Sequence, residues 1–379
     1  MLKRHGLGVI LKRHRWSVEL LPHDVVELIL ERLPVKSLLR FRSVSKNWKS
    51  TIDSRRFKER QLICRRESRD PDVLCVQLSE SYDGVDTDID ARRIKLGSSI
   101  VSTVRYPIWA SNYCHGSCDG LVCLYSIFEP SVNVVVNPAT RWHRSFPLSG
   151  YQQLLIDKLT RFEMSCPTPE LGFGKDIFKG TYKPVWLYNS SPFGLDNATT
   201  CEVFDFSTNA WRYVVPASPY RIRAHQRPVY LDGSLYWFTE CEETKILSFH
   251  LHTETFQVVC KAPFAHARCP FSVIMCILDN RLCVSRRKLL TQVIWSLDSL
   301  GGSNTWKKMC SIDLTKTFSW FGERTLLPIA IVDKNKLLLH GHGNLKPLVI
   351  HDLHAKSYGL VFKPTKLVGA VYYFESLFS

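Results

Sequence analysis

Long apolar runs are missing from the 379-residue sequence, and none approaches the roughly 18 residues that a bilayer-spanning helix needs. The apolar stretch at residues 6–11 is short and is followed by basic residues at positions 12, 13 and 15. It lacks the longer apolar region and the small-residue cleavage site that are typical of a signal peptide. These absences predict an intracellular protein, in the nucleus, the cytoplasm or both, without a membrane partner.

The sequence also lacks the common patterns of catalytic and cofactor sites. It contains no GxSxG motif and no P-loop, and Gly172-x-Gly174 lacks the third glycine of a dinucleotide-binding turn. His340-x-His342 has no Asp or Glu at the spacing of a catalytic triad or of a metal site on a helix. We therefore expect a protein that performs no catalysis and holds no cofactor.

Metal-binding cysteine patterns are scarce as well, although the chain has 13 cysteines. No CxxC pair occurs, and the densest cluster, Cys114-His115-x-x-Cys118, has no second pair at a zinc-like distance. In a reducing compartment such cysteines are most simply small buried apolar side chains. The sequence therefore predicts no metal site.

The chain does have an ordinary globular composition and a strong positive charge. Hydrophobic residues make up 45% and charged residues 22%, which excludes a disordered or collagen-like protein. The formal net charge is +15, and residues 1–60 hold 15 Lys and Arg against 6 Asp and Glu, an excess of 9. Residues 1–16 are predicted to be a basic flexible tail. A basic end suits nucleic acid, nuclear import or a solvated surface.

Residues 20–60 are predicted to form short helices. Pro22 suits the first turn of a helix, and Pro34 ends that helix because its ring clashes with the preceding turn. The apolar residues of the first helix recur at three- and four-residue spacing: Val25, Leu28, Ile29 and Leu33. A second helix is predicted over residues 35–44, and Ser45 suits the N-cap of a third over residues 46–54. A helical unit of about forty residues cannot bury all of its large apolar side chains internally. Some of them are therefore expected to face a partner.

This segment resembles the F-box of a large plant protein family. Leu21-Pro22-x-Asp24 begins a match that continues nearly position by position to Trp48, and Phe57 closes it. Ser45 stands where the family usually has Cys. The resemblance implies docking onto a Skp-type adaptor and, through it, onto a cullin–RING ubiquitin ligase core. The adaptor-binding residues are predicted to be Pro22, Leu28, Ile29, Leu33, Pro34, Leu38, Leu39, Phe41, Val44 and Trp48, some of which belong to the helical core.

From about residue 110 onward, short apolar runs alternate with turn signals, which favours an all-β structure. Hairpin turns that each enter a strand are predicted at Asp119-Gly120, Asp232-Gly233, Asp279-Asn280 and Lys334-Asn335. An aromatic residue recurs near a later turn: Trp142, Trp211, Phe256, Trp306 and Tyr358. The spacings are 45 residues from 211 to 256, 50 from 256 to 306 and 52 from 306 to 358. A period near 50 with four strands per unit indicates a kelch-like propeller, although the diglycine of kelch repeats is absent.

The same region resembles the F-box-associated domain, type 1, which follows the F-box in many plant proteins. The resemblance rests on four stretches, at residues 117–124, 136–141, 171–183 and 246–256. It implies a domain that selects a protein for the ligase. The predicted fold class is thus α+β multidomain, with a small N-terminal helical F-box followed by an all-β, kelch-like propeller. The predicted boundaries are 1–16 for the tail, 17–62 for the F-box, 63–110 for a linker and the first strands, and 111–379 for the F-box-associated domain.

These observations predict a substrate-recognition subunit of an SCF-type cullin–RING ubiquitin ligase, which recruits an unknown target protein for ubiquitination and degradation. The sequence identifies no target-binding residues. Seven arginines suit a face for an acidic peptide or a phosphate, although scattered solvated charge is the simpler interpretation: Arg141, Arg161, Arg221, Arg223, Arg227, Arg286 and Arg287. The alternatives are a nucleic-acid-binding protein that uses the basic N-terminal helices and a propeller enzyme with an unrecognised site.

Overall fold

A computed structural model describes the helical segment and most of the β region. The described residues are 21–67, 72–77, 89–95, 101–106, 113–125, 133–161, 169–264, 269–299, 304–322, 324–333, 335–341, 347–363 and 368–379. The predicted basic tail over residues 1–16, Lys334 and His342 lie outside them. Within these ranges, no helix is both long enough and apolar enough to span a membrane.

Within residues 21–67, four helices form the N-terminal module. They are α1 (His23–Glu31), α2 (Val35–Phe41), α3 (Lys46–Asp53) and α4 (Arg55–Glu67). The first three confirm the predicted helices, with Pro22 and Pro34 at the N-caps of α1 and α2. Ser45 caps α3, because its hydroxyl oxygen accepts a hydrogen bond from the backbone N–H of Trp48 at 3.1 Å. The fourth helix was not predicted, since its sequence is strongly charged and its apolar residues are few.

The interior of the module is a small apolar cluster shared by all four helices. Its fully buried members are Leu30, Val35, Leu38, Ile52 and Phe57. Leu377, which lies near the end of the chain, is also buried in this cluster. The helices are therefore packed onto the rest of the protein and are not an independent appendage.

In the described part of the chain, twenty-four strands make up six four-stranded antiparallel sheets, here called blades 1 to 6. Blade 1 comprises β1 (Asp72–Gln77), β2 (Ile89–Lys95), β3 (Val101–Tyr106) and β24 (Val368–Tyr373). Blade 2 comprises β4 (Tyr113–Cys118), β5 (Leu121–Tyr125), β6 (Asn133–Asn137) and β7 (Trp142–Phe146). Blade 3 comprises β8 (Gly172–Asp176), β9 (Thr181–Asn189), β10 (Thr199–Asp205) and β11 (Ala210–Tyr213).

Three further blades follow in chain order. Blade 4 comprises β12 (Val229–Leu231), β13 (Ser234–Phe238), β14 (Lys245–His250) and β15 (Thr255–Lys261). Blade 5 comprises β16 (Val273–Leu278), β17 (Arg281–Lys288), β18 (Thr291–Asp298) and β19 (Thr305–Asp313). Blade 6 comprises β20 (Leu326–Val332), β21 (Lys336–Gly341), β22 (Leu348–Asp352) and β23 (Ser357–Phe362). Helix α5 (Gly150–Thr160) connects blades 2 and 3, and α6 (Phe318–Phe321) connects blades 5 and 6.

The blades close into a ring, which confirms the predicted propeller. The inner strands β24, β4, β8, β12, β16 and β20 contact one another in that order, and β20 returns to β24. The ring is closed by β24, the last strand of the chain, which pairs with β1 so that Tyr373 lies opposite Asp72. A cavity of about 1100 Å³ lies between the inner strands.

The predicted turns and aromatic residues fall at equivalent places in the blades. The turns join the first and second strands of blades 2, 4, 5 and 6, and Asp119 and Gly120 have φ of 52° and 79°. The aromatic residues lie in the outermost strands β7, β11, β15, β19 and β23. The Trp306 indole N–H donates to the backbone oxygen of Lys261 in the preceding blade at 2.8 Å. The sequence period is therefore the blade itself, and in blade 5 its aromatic residue connects the outermost strand to the preceding blade.

The antiparallel order gives the ring two distinct faces. Turns between first and second strands, and between third and fourth strands, lie on one face, which also receives the helices. We call it the proximal face, because Arg66 of α4 forms a 2.8 Å ion pair there with Asp119 in the first hairpin turn of blade 2. Turns between second and third strands, and the connections between blades, lie on the opposite face, here called the distal face.

Residues 374–379, here called the C-terminal tail, connect the helices to the proximal face. The backbone N–H of Val35 in α2 donates to the carboxylate of Glu375 at 3.3 Å. The side-chain amide of Asn137, at the end of β6, donates to the backbone oxygens of Ser376 at 3.0 Å and Phe378 at 2.7 Å. Because the tail directly follows the closing strand β24, it joins the helices, blade 2 and the ring closure in one network.

Candidate functional site

An apolar surface on the helical module is the feature that most needs a partner. Val25, Leu28 and Ile29 lie one turn apart on α1 and are 40%, 42% and 48% exposed. Leu21, before α1, and Val44, between α2 and α3, are also exposed. Scattered exposed apolar residues are ordinary, whereas several on one small module indicate an interaction site. We call these five residues the α1 surface.

The α1 surface contains part of the predicted adaptor-binding set. Of that set, the exposed residues are Pro22, Leu28, Ile29, Pro34 and Val44. The half-buried residues are Leu33, Leu39, Phe41 and Trp48, and the buried residue is Leu38. Phe41 and Trp48 pack edge to face, with ring centroids 5.5 Å apart. The structure thus divides a set that the sequence leaves undivided: Leu38 belongs to the core, and the exposed members are available to another protein.

Two residues of the α1 surface were not among the predicted contacts. Leu21 directly precedes the predicted helix, and Val25 was assigned only to its apolar face. The signal for Val25 was present in the sequence, since it lies three and four residues before Leu28 and Ile29.

Ion pairs between helices hold α1 so that its apolar surface faces outward. Arg60 of α4 pairs with the buried carboxylate of Glu31 at 2.9 Å and lies 4.0 Å from that of Glu27. Burial raises the pKa of Glu31, and the Arg60 guanidinium opposes that effect. With Glu31 and Leu30 turned inward, the opposite side of α1 presents Leu28 and Ile29.

The axial cavity has charged groups at its proximal mouth, and these groups already bind one another. The Asp119 carboxylate accepts hydrogen bonds from Arg66 and Lys175, both at 2.8 Å, and from the Tyr182 hydroxyl at 3.1 Å. Burial, followed by the charge of Asp119, raises the pKa of Tyr182 far above its usual range. Tyr182 therefore stays protonated and serves as a hydrogen-bond donor, which is a structural role.

His340 and His351, two histidines of the blade 6 sheet, also have structural surroundings. The ring of His351 stacks on that of Tyr358, with centroids 4.2 Å apart, and its Nδ1 lies 3.1 Å from the backbone oxygen of Ser357. Burial lowers the pKa of His351. His340 is buried in β21. In the described part of the chain, no three His, Cys, Asp or Glu side chains lie close enough together to hold a metal ion.

The predicted arginines are distributed over both faces of the ring. Arg141 lies in a proximal turn, and Arg227 forms a 3.3 Å ion pair with Glu170 at the axial cavity. Arg221, Arg286 and Arg287 lie at the distal face, where Arg221 pairs with Glu240 at 3.0 Å. They do not form one shared site, and Arg286 and Arg287 lie beside the β17–β18 turn of blade 5 on the distal face.

Comparison with protein families agrees with this division into two parts. Residues 18–60 match the model of the F-box domain, and residues 74–377 match that of the F-box associated beta propeller domain. The first match covers α1 to α3, with the start of α4. The second runs from the first strand into the C-terminal tail, so the tail is part of the propeller domain.

Three Arabidopsis thaliana proteins are similar in sequence to most of this chain. F-box protein At1g11270 is 62% identical over 79% of this chain and 95% of its own length. F-box/LRR-repeat/kelch-repeat protein At1g09650 is 52% identical over 97% of this chain and 99% of its own length. F-box protein At2g34280 is 48% identical over 96% of this chain and 100% of its own length. The chain therefore belongs to the plant F-box protein family and combines an F-box domain with an F-box associated beta propeller domain.

Proposed function

We propose that the chain is a non-catalytic substrate-recognition subunit of an SCF-type cullin–RING ubiquitin ligase. Its helices dock onto a Skp-type adaptor, and its propeller recruits a target protein. The subunit contributes proximity: a target lysine held beside a charged conjugating enzyme reacts as if the transfer were intramolecular. Membership of the F-box family supports this proposal.

The α1 surface is the observation that carries the proposal. A row of exposed Leu, Ile and Val on a short helix is suited to packing against a helix or groove of a partner protein. The same row is a poor match for nucleic acid, since phosphate contacts require cations and polar groups where this helix presents aliphatic side chains.

The proposed function also requires that the target be held at a defined distance from the ligase core. The contacts of the C-terminal tail with α2, together with the Arg66–Asp119 ion pair, fix the helices on the proximal face. A target bound to the propeller would thus keep a constant orientation relative to the adaptor.

Replacing Leu28 and Ile29 together by serine is expected to weaken adaptor binding by at least about 20-fold. The expected loss follows from anchor residues, which typically contribute about 2 kcal/mol or more when they are truncated. Both side chains are partly exposed, so the variant should fold normally. Binding is measured by co-purification of the full chain with a Skp-type adaptor and by titration calorimetry of the purified partners.

The matched control is Leu360→Ser, because Leu360 is 50% exposed on β23, the outermost strand of blade 6. This variant should bind the adaptor like the wild type. If the folded wild-type chain forms no adaptor complex, the proposed function is wrong. Nucleic acid would then be the next ligand to test, and binding through phosphates would fall steeply with salt.

A further inference from the structure

The two-residue turn of blade 5 has a composition that folding does not explain. Lys288 pairs with Thr291 across the β17–β18 hairpin, so Leu289 and Leu290 alone form its tip. Such tips favour Asn, Asp and Gly, because at least one residue must have positive φ. Leu289 has φ of 53° and is 84% exposed, and Leu290 is 45% exposed. Two exposed leucines in a strained turn indicate selection for something other than stability.

Further exposed apolar side chains surround this turn on the distal face. The backbone oxygen of Leu290 accepts a hydrogen bond from the N–H of Leu314 at 2.9 Å, and the chain from there leads within one turn to the exposed Phe318. Phe271 is exposed in a short 3₁₀ turn that contacts β17. We call Phe271, Leu289, Leu290 and Phe318 the blade 5 patch.

The surroundings of the patch are strongly basic. In the described part of this end of blade 5, the exposed or half-buried basic side chains are Arg286, Arg287, Lys288, Lys316 and Arg324. Among the described residues there, Asp313 is the acidic one, and its carboxylate accepts hydrogen bonds from Thr315 at 2.6 and 3.0 Å. Within the described ranges, five cations thus lie around four exposed apolar side chains, and one of them, Arg286, also packs over the Phe264 ring with its guanidinium 5.3 Å from the ring centroid. An interface of this kind is complementary to a segment that carries both carboxylates and large apolar groups.

The patch lies on the face opposite the helices. The β17–β18 turn joins a second strand to a third, which places it on the distal face, whereas Arg66 and the C-terminal tail occupy the proximal face. The geometry points to the blade 5 patch as a docking site for a protein segment with acidic and large apolar side chains. This inference rests on the proposed function, in which that segment belongs to the target protein.

The test uses a substitution that favours the fold while removing the patch. Leu289→Gly combined with Leu290→Asn puts glycine at the one tip position that has positive φ, so the unfolding temperature should stay the same or rise. The probe is a phage-displayed library of random 12-residue peptides selected on the full wild-type chain. We expect the selected peptides to combine Asp or Glu with Leu, Phe or Trp, and to bind the variant at least tenfold more weakly by fluorescence polarisation. Binding to the wild type should also weaken as the salt concentration rises.

Phe178→Asn is the control, because Phe178 is 66% exposed in a hairpin turn of the proximal face. This variant should bind the selected peptides like the wild type. The inference is overturned if no peptide is enriched, if the enriched peptides lack acidic residues, or if the blade 5 variant binds them unchanged. Co-purification of the same variant with the Skp-type adaptor separates the two proposals, since it should be retained whichever way the peptides behave.

Discussion

Replacing Gly120 by alanine is expected to lower the free energy of unfolding by about 2–5 kcal/mol and to displace the C-terminal tail. Gly120 has φ of 79°, which costs an L-residue about 1–2 kcal/mol. A Cβ at this position would also lie 2.6 Å from the backbone oxygen of Phe374 and 2.5 Å from the Ser376 hydroxyl. Relieving such a clash within a packed region typically costs a further 1–3 kcal/mol or so.

Gly194→Ala is the matched control for this prediction. Gly194 has φ of 70°, nearly the same conformation, but a Cβ there would meet nothing within 4 Å. The Gly194→Ala variant should therefore lose only about 1–2 kcal/mol of unfolding free energy, which is the cost of the left-handed backbone conformation. Both values are measurable by urea unfolding, and limited proteolysis should remove the tail from the Gly120 variant faster than from the Gly194 variant. If both variants lose the same unfolding free energy, the C-terminal tail adapts to the added methyl group at position 120 without an energetic cost, and the predicted clash is wrong.

Much of the fold could be predicted from sequence because its signals are local. Asp119-Gly120 and Asp232-Gly233 identify hairpin turns by their own backbone preferences. Trp211, Trp306 and Tyr358 recur at equivalent positions because each donates a hydrogen bond from an outermost strand to a backbone oxygen at or beside the end of the outermost strand of the preceding blade. Pro34 and Ser45 mark helix ends for equally local reasons, the missing N–H of proline and the accepting hydroxyl of serine.

The features that the sequence could not predict depend on residues that are distant along the chain. Val35 and Glu375 are 340 positions apart, and Asn137 and Ser376 are 239 apart. Neither pair has any periodicity or motif that relates its members. Which helical residues are buried and which are exposed also depends on distant contacts. Leu38 is buried in a cluster with Ile52 of α3, Phe57 of α4 and Leu377 of the C-terminal tail, and the residue spacing within α2 does not reveal these contacts.

A buried charge network between blades 3 and 4 is also among the features that the sequence could not identify. Lys183 belongs to a stretch that resembles the F-box-associated domain, but the resemblance assigns it no role. In the structure its ammonium group donates to the backbone oxygen of Leu251 at 2.6 Å and to the carboxylate of Glu254 at 2.9 Å, and it lies 3.5 Å from the carboxylate of Asp176. Arg212 also pairs with Glu254, and His252 with Asp176.

Lys183→Met is expected to lower the free energy of unfolding by about 3–5 kcal/mol. Methionine fills a similar volume, but it leaves the carboxylates of Asp176 and Glu254 without the buried cation between them, and breaking a buried pair typically costs that much. The control is Lys261→Met, whose partner Glu243 and whose own side chain are both about two-thirds exposed. That pair is screened by water, so its loss should leave urea unfolding nearly unchanged.

The pH dependence of the Lys183→Met variant distinguishes a charge effect from a packing effect. Burial raises the pKa values of Asp176 and Glu254, but their hydrogen bonds and cationic neighbours outweigh it, and both pKa values lie below the ordinary range. Carboxyls with lowered pKa stabilise the fold at neutral pH, and this stabilisation is lost as the pH falls below about 4. The variant lacks one of the cations that lower these pKa values. The difference in unfolding free energy between wild type and variant should therefore be largest near pH 7 and shrink towards pH 3, whereas a difference that is constant over this range would indicate that Lys183 acts mainly through packing.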